Sequence, residues 1–397
     1  MSKQQFYLPT YEECVAITKA NECFYEKQVE VNGFKISVFN YRLAQYKDFK
    51  QPLEGSNVTA FELRGLAFVF NSDGTYQRFL GLHKFFNLNQ TDDYQYDDLK
   101  SYTLKRAQDK MDGSMVRFLN IGGQMVAKTK MDFTNDQCQM AMFCAKNQKL
   151  ESFIHKTIDN KLAAIFEYVN ITNQIVLVYE RPEIRLLQLR DETTGEYLDI
   201  YNNDLVKEYK VPCADREEVK ELQSYIDRAK ELEGVEGWVL TLENGQMLKI
   251  KTDWYFRLHG LLSENLVREN KILEMVLTET LDDALAQITE TDPRRKYSEN
   301  IQKAVGHFLD LKLKETIELK GLYNGVRKDY ALAHKGKPLF PIAVKLIDMT
   351  EGVEEKAYSM LKDLLIRKYS GLMDAKAFIK NELKVELQYH DSQFDDE

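Results

Sequence analysis

Through residue 255 the hydrophobic positions fall in short alternating runs separated by Gly-containing turns, and beyond it they recur at helical spacing. A small mixed lead-in over residues 1 to about 50 contains a predicted helix, Tyr11 to Ala20, and a predicted strand, Phe34 to Tyr41. Phe61 to Phe70 then runs into Asn71-Ser72-Asp73-Gly74 and Tyr76 to Leu82 returns, which predicts a hairpin. A second hairpin pairs Ser114 to Leu119 with Gln124 to Lys130, putting Lys128 and Lys130 on one strand face. Asp136 to Ala145 and Leu150 to Thr157 are predicted helices, followed by predicted strands at Leu162 to Val169, Gln174 to Tyr179 and Glu183 to Leu189. A helix-like stretch, Arg216 to Glu231, precedes a third hairpin, in which Val235 to Leu242 turns at Glu243-Asn244-Gly245 and Gln246 to Tyr255 returns.

Past Tyr255 the hairpin signals nearly disappear. Arg257 to Glu274, Leu281 to Ile288, Tyr297 to Leu319, Leu339 to Asp348 and Val353 to Tyr369 carry helical apolar stripes, and the tail from His390 to Glu397 reads as acidic and frayed. The expected class is therefore α+β: an antiparallel-sheet domain over residues 1–255, then an all-helical domain over 256–397.

Composition narrows the setting. A hydrophobic share of 44% with 29% charged residues is that of a globular chain able to bury a core without cross-links. Five cysteines without a Cys-x-x-Cys suggest neither a disulfide framework nor a zinc knuckle, so a reducing, cytoplasmic location is expected. No apolar run is long enough for a signal peptide or membrane span. The net charge of −9 means that any contact with a polyanion must come from local basic sites.

Those sites are visible. In Lys110-Met111-Asp112-Gly113-Ser114 a lysine precedes Asp-Gly between strand-like runs, the setting of a nucleophile at a tight turn, although a solvated lysine on an ordinary hairpin has the same pattern. Lys249 and Lys251 share one face of the third hairpin, where two cations would favour an anionic ligand and the neutral amine of a nearby lysine. Glu167 interrupts an apolar run and needs a hydroxyl, a cation or an arginine as partner. On their own Arg64 reads as a surface strand arginine and Lys84 as a lysine snorkelling beside an aromatic pair, both in sheet or sheet-edge structure. Lys320, Arg327, Lys328, Lys335 and Lys337, with Tyr323 and Tyr330 between, read either as an RNA-backbone grip or as a solvated loop.

Taken in order, Lys110-x-Asp112-Gly113, Phe166-Glu167-Tyr168, Val235-Glu236-Gly237 and Leu248-Lys249-Ile250-Lys251 resemble the motif series of the covalent nucleotidyltransferases: DNA ligases, RNA ligases and messenger RNA capping enzymes. The chain is more closely similar to the bacteriophage RNA ligase 1 family, the T-even-type tRNA-repair ligases. That resemblance rests on Arg64-Gly65, Lys84-Phe85-Phe86-Asn87-Leu88-Asn89, Thr172 to Leu177, Thr194-Gly195-Glu196-Tyr197 and Lys251-Thr252-Asp253-Trp254-Tyr255.

The resemblance implies an ATP-grasp-like ligase domain in which Lys110 attacks ATP and forms a lysyl-AMP. AMP then passes to an RNA 5′-phosphate, and a 3′-hydroxyl displaces it. It assigns Arg64 and Lys84 to the ATP phosphates, Lys249 and Lys251 to the α-phosphate, Tyr41 to nucleotide contact and Glu167 to the ribose or a metal. Glu236, and from the helical domain Asp282 beside Asp283, would hold Mg2+; Tyr255 completes the catalytic set. The implied substrate is RNA with a 5′-phosphate and a 3′-hydroxyl, such as tRNA nicked in its anticodon loop. A monomer in the cytoplasm, the host's if the chain is phage-encoded, is expected. The alternatives are a DNA ligase or capping guanylyltransferase, whose usual strand-rich domain after the Lys249 motif has no signal here, and an RNA-binding relative without chemistry.

Overall fold

The computed structural model describes residues 4–170, 181–258, 263–286, 288 and 290–388. The predicted strand Gln174 to Tyr179, the Thr172 to Leu177 motif and the acidic tail His390 to Glu397 lie outside them. The chain divides into two compact units, Met1–Gly260 and Leu261–Glu397.

In the first unit β1 (Phe24–Val31), β2 (Phe34–Tyr41), β3 (Leu66–Phe70) and β4 (Tyr76–Phe79) form an antiparallel sheet in sequence order. The first 50 residues are thus half of a sheet rather than a lead-in. A short β5 (Phe86–Asn87) and β6 (Leu104–Asp109) follow, then β7 (Ser114–Ile121), β8 (Gln124–Lys128), β9 (Leu162–Val169), β10 (Glu183–Asp191) and β11 (Tyr197–Leu198). Strands β12 (Arg216–Glu217), β13 (Gly237–Leu242) and β14 (Met247–Lys251) complete the described set. Two further sheets result, one ordered β11-β10-β9-β7-β8 and one ordered β12-β6-β13-β14-β5. All their pairings are antiparallel except β14 with β5.

Apolar faces join these layers. Phe39, Leu66 and Phe68 of the first sheet share a core with Phe86, Trp238, Leu240, Leu248 and Ile250 of the β13 sheet. Ile36, Val38 and Val69 pack with Leu119, Ile121 and Phe133. The other side of the β9 sheet is covered by helices Asp136–Asn147 and Glu151–Asp159 through Cys144, Phe153, Ile154 and Phe166. Burial of this apolar surface is the main drive for the layering.

The second unit holds helices and no strand among its described residues. Its longest helix, Pro293–Gly321, starts with Asp292 as N-cap and Pro293 in the first turn, and buries Tyr297, Ile301, Val305, Leu309 and Leu313 in one stripe. It packs on Glu269–Leu277, Phe340–Leu346 and Val353–Lys368.

Several predicted boundaries are corrected. Phe61 lies in a 3-10 turn, Ala60–Glu62, so Arg64 sits in a bend ahead of β3 instead of on a strand. Arg216–Glu217 is a strand edge, and the helix there is Leu222–Glu231. The return strand of the third hairpin ends at Lys251, with Trp254 and Tyr255 on the helix Asp253–Leu258. Arg257 to Glu274 is not one helix, because a 3-10 turn, Ser263–Val267, precedes Glu269–Leu277. The basic loop contains a helix, Arg327–His334, and a last helix, Leu372–Asn381, had no prediction. Tyr330 is buried, packs its ring on Tyr323 and Phe340 and donates its hydroxyl to the Leu319 carbonyl at 2.9 Å, so it is a core residue and no platform for a base.

Candidate active site

Lys110 does not lie on an ordinary hairpin. β6 belongs to one sheet and β7 to another, and residues 110–113 carry the chain across between them. The Lys110 N–H donates to the Gly237 carbonyl at 2.9 Å, continuing the β6–β13 ladder, in which Asp109 lies opposite Trp238. This places the lysine beside the start of β13, and its side chain is only 22% exposed, which excludes a solvated turn.

Two glycines allow the close approach. A Cβ on Gly113 would stand 2.3 Å from the Tyr168 carbonyl oxygen, and one on Gly237, where φ is +141°, would stand 2.0 Å from that of Ile250. β7 therefore lies close against β9, and β13 against β14, at the places where the charged side chains converge.

Glu236, just before β13, is the hub. Its Oε1 accepts from Lys110 Nζ at 2.6 Å and from Lys251 Nζ at 3.0 Å, while its Oε2 is buried with no hydrogen-bond partner. Burial pushes this carboxyl up, but Lys110 and Lys251 outweigh that effect and hold it below its ordinary value. Lys251 also lies 4.8 Å from the centre of the Tyr255 ring, and the Tyr255 hydroxyl donates to buried Asp112 Oδ1 at 3.3 Å. The nucleophile candidate, its Asp-Gly neighbour, Glu236, Lys251 and Tyr255 thus form one connected cluster.

Glu167 comes to the same place from β9, opposite Met115 of β7. Burial pushes its carboxyl up to about 8; Lys110 and Arg64 pull it down, and Glu236 and Asp112 push it further up. At neutral pH Glu167 is therefore largely protonated and can donate a hydrogen bond. Lys110, Lys251 and Arg64 then face Glu236 and Asp112 with a surplus of positive charge, which suits a bound phosphate chain.

Arg64 reaches this site from its bend, with Nη1 3.8 Å from Met115 Sδ. Lys84 lies outside any strand, its ammonium 4.9 Å from the Phe86 ring centre and 5.2 Å from that of Tyr41. On the same Tyr41 ring sits the Lys130 ammonium, at 4.4 Å. A second cation at the Tyr41 ring was not foreseen; the Lys-Thr-Lys run at the end of the second hairpin was its only trace in the sequence. Lys249 shares its strand face with Lys251 and holds its ammonium 5.9 Å from the Phe85 ring centre.

Asp282 belongs to the second unit, half-buried on the helix Leu281–Leu285 and close enough to Arg295 to oppose the effect of burial on that guanidinium. Among the described residues no group of three or more His, Cys, Asp or Glu side chains could hold a metal ion. What fits a divalent cation in the first unit is the orphaned, buried Oε2 of Glu236 with Glu167 beside it. The five cysteines are free. No helix among the described residues is long and apolar enough to cross a membrane.

The first unit is thus a core of antiparallel sheets that gathers two lysines, an arginine and buried carboxylates in one place. The family model described as RNA ligase matches residues 62–259, which include every first-unit site residue named above except Tyr41. A protein of Thermovibrio ammonificans, provisionally named an RNA ligase, is 27% identical over 329 residues, covering 79% of this chain and 83% of its own. Among solved structures, an archaeal ATP-dependent RNA ligase is similar over 88% of this chain and 94% of its own, at 14% identity and a TM-score of 0.47. An RNA ligase variant of Naegleria gruberi, solved with ATP and manganese, is similar over 60% of this chain and 98% of its own, at 12% identity and a TM-score of 0.36.

Proposed function

We propose that this chain is an ATP-dependent RNA ligase that works through a lysyl-AMP intermediate and seals a 5′-phosphate to a 3′-hydroxyl. The observation that carries the reading is the convergence of Lys110, Glu236 and Lys251 within 3.0 Å contacts at the crossing between two sheets. For attack, the Lys110 amine must be neutral, so its ion pair with Glu236 has to open and its proton has to leave. The Lys110 nitrogen then bonds to the α-phosphorus, the bond to the bridging oxygen breaks, and pyrophosphate departs. Lys251 would exchange its contact with Glu236 for the α-phosphate, while Arg64 and Lys84 meet the remaining phosphates. Mg2+, when bound with ATP, supplies charge neutralisation; Glu236 would hold it, joined by Glu167 once that carboxyl has released its proton to solvent.

AMP passes next to the RNA 5′-phosphate, releasing the amine, and the 3′-hydroxyl displaces AMP. Nicked tRNA is the RNA we propose to test first, on the strength of the motif resemblance and of the exposed Lys328, Lys335 and Lys337 in the second unit. The test is incubation with α-labelled ATP, and separately α-labelled GTP, in Mg2+ without RNA, followed by a denaturing gel. ATP should label the wild type through an acid-labile bond and leave Lys110→Ala dark, and 5′-phosphorylated RNA should chase the label. Label from GTP would favour a capping-type enzyme; no label from either nucleotide would overturn the reading in favour of RNA binding alone.

A further inference from the structure

Strand alternation puts Lys128 on the same face as Lys130, but β8 ends at Lys128 and the two part company. Lys130 goes to Tyr41. Lys128 turns inward and is 2% exposed, the more deeply buried of the two. Its Nζ donates to three backbone carbonyls: Gly65 at 3.0 Å, Thr129 at 2.9 Å and Lys130 at 2.8 Å.

The count of donors and acceptors is informative. An ammonium has three N–H groups, one for each carbonyl, whereas a neutral amine has two and would turn its lone pair toward an oxygen. Burial, with help from Arg117, pushes this lysine down to about 7, and Asp132 and Cys138 only partly oppose that while Lys130 adds to it. A cation that costs so much to bury is held chiefly by its three carbonyls, with the Phe133 ring centre 5.8 Å away. Those carbonyls belong to two separate segments. One is the bend that presents Arg64, anchored on its other side by Glu62, whose carboxylate takes Arg190 at 2.6 and 2.8 Å. The other is the loop that presents Lys130. No apolar side chain could tie the two, because each would leave three buried carbonyls without partners.

We infer that Lys128 is a positioning residue: its buried ammonium locks the Gly65 bend to the Thr129-Lys130 loop and so sets where Arg64 and Lys130 meet the nucleotide. This rests on the ligase reading above. Lys128 touches neither substrate nor the reacting atoms. Its loss should therefore weaken nucleotide binding more than it slows the chemistry.

The experiment is single-turnover self-adenylation of the full chain with α-labelled ATP and Mg2+, comparing wild type with Lys128→Met. The ATP concentration for half-maximal rate should rise about 10-fold, with the rate at saturation within about 3-fold of wild type. Thermal unfolding by tryptophan fluorescence checks the fold. Should the Met variant not fold, Lys128→Arg replaces it: the cation is kept, but a planar fork cannot meet three oxygens around one atom, and the same rise is expected. A folded variant with unchanged half-saturation overturns the inference, whether its labelled fraction is intact or reduced, because a mere prop lowers the active fraction without moving nucleotide affinity. Absence of label on wild type overturns the ligase reading itself, and the inference with it.

Discussion

Replacing Glu167 by glutamine should stabilise the first unit, and by an amount that grows with pH. The Glu167 carboxyl titrates near 4.5 in an unfolded chain and is pushed up to about 8 by burial in the folded one. Between those values the folded state keeps a proton that the unfolded state has released. Stability of the wild type therefore falls as pH rises through this window, while that of Glu167→Gln carries no such slope. Each pH unit is worth about 1.4 kcal/mol, so from pH 5 to 7.5 the variant should gain on the order of 3 kcal/mol over wild type. Both tryptophans of the chain, Trp238 and Trp254, lie in the first unit, so their fluorescence during urea unfolding reports on the unit that holds the site. The comparison is made without nucleotide or Mg2+. Stability curves that stay parallel across pH, or a wild type that gains on the variant as pH rises, would refute the placement of Glu167 as a buried, protonated acid. The same variant should lose self-adenylation, because its stability is gained by removing a group placed to serve the ligand.

Gly237→Ala would drive a methyl into the Ile250 carbonyl at 2.0 Å and into a backbone of φ +141°; a loss of roughly 2–4 kcal/mol in urea unfolding is expected, with no adenylation. Tyr255→Phe removes the 3.3 Å hydrogen bond to buried Asp112 and should cost about 1–2 kcal/mol, read from the same curves. Arg190→Met leaves the Glu62 carboxylate buried without its bidentate partner; a loss of about 3–5 kcal/mol is expected, and the double variant Arg190→Met, Glu62→Gln should recover part of it.

Much of the fold follows from local pattern. Helix Tyr11–Ala20 and strands Phe34–Tyr41 and Leu162–Val169 coincide with their predicted ranges, because propensity and apolar period agree there. One misplaced boundary has its cause in local competition: Thr252 caps the helix that begins at Asp253, with its hydroxyl accepting from the Tyr255 N–H at 3.2 Å, and this ends a run that otherwise alternates like a strand.

The chemistry divides in the same way. Which charged residues to examine, from Arg64 and Lys84 through Lys110 and Glu167 to Lys251, follows from motif order, since each motif is only a few residues long. Who meets whom was not. Lys110 reaches Glu236 only because β6 pairs with β13, a contact between residues far apart in the chain and set by the burial of whole sheet faces. Lys251, expected beside Lys249 as half of a repelling pair, is neutralised by that same glutamate. Lys128, placed by alternation on one face with Lys130, is instead enclosed by carbonyls from two loops. Composition and periodicity decide which side chains are present and on which strand or helix. Whether a buried charge finds a partner depends on backbone groups brought in from distant segments, and that is settled only when the sheets pack.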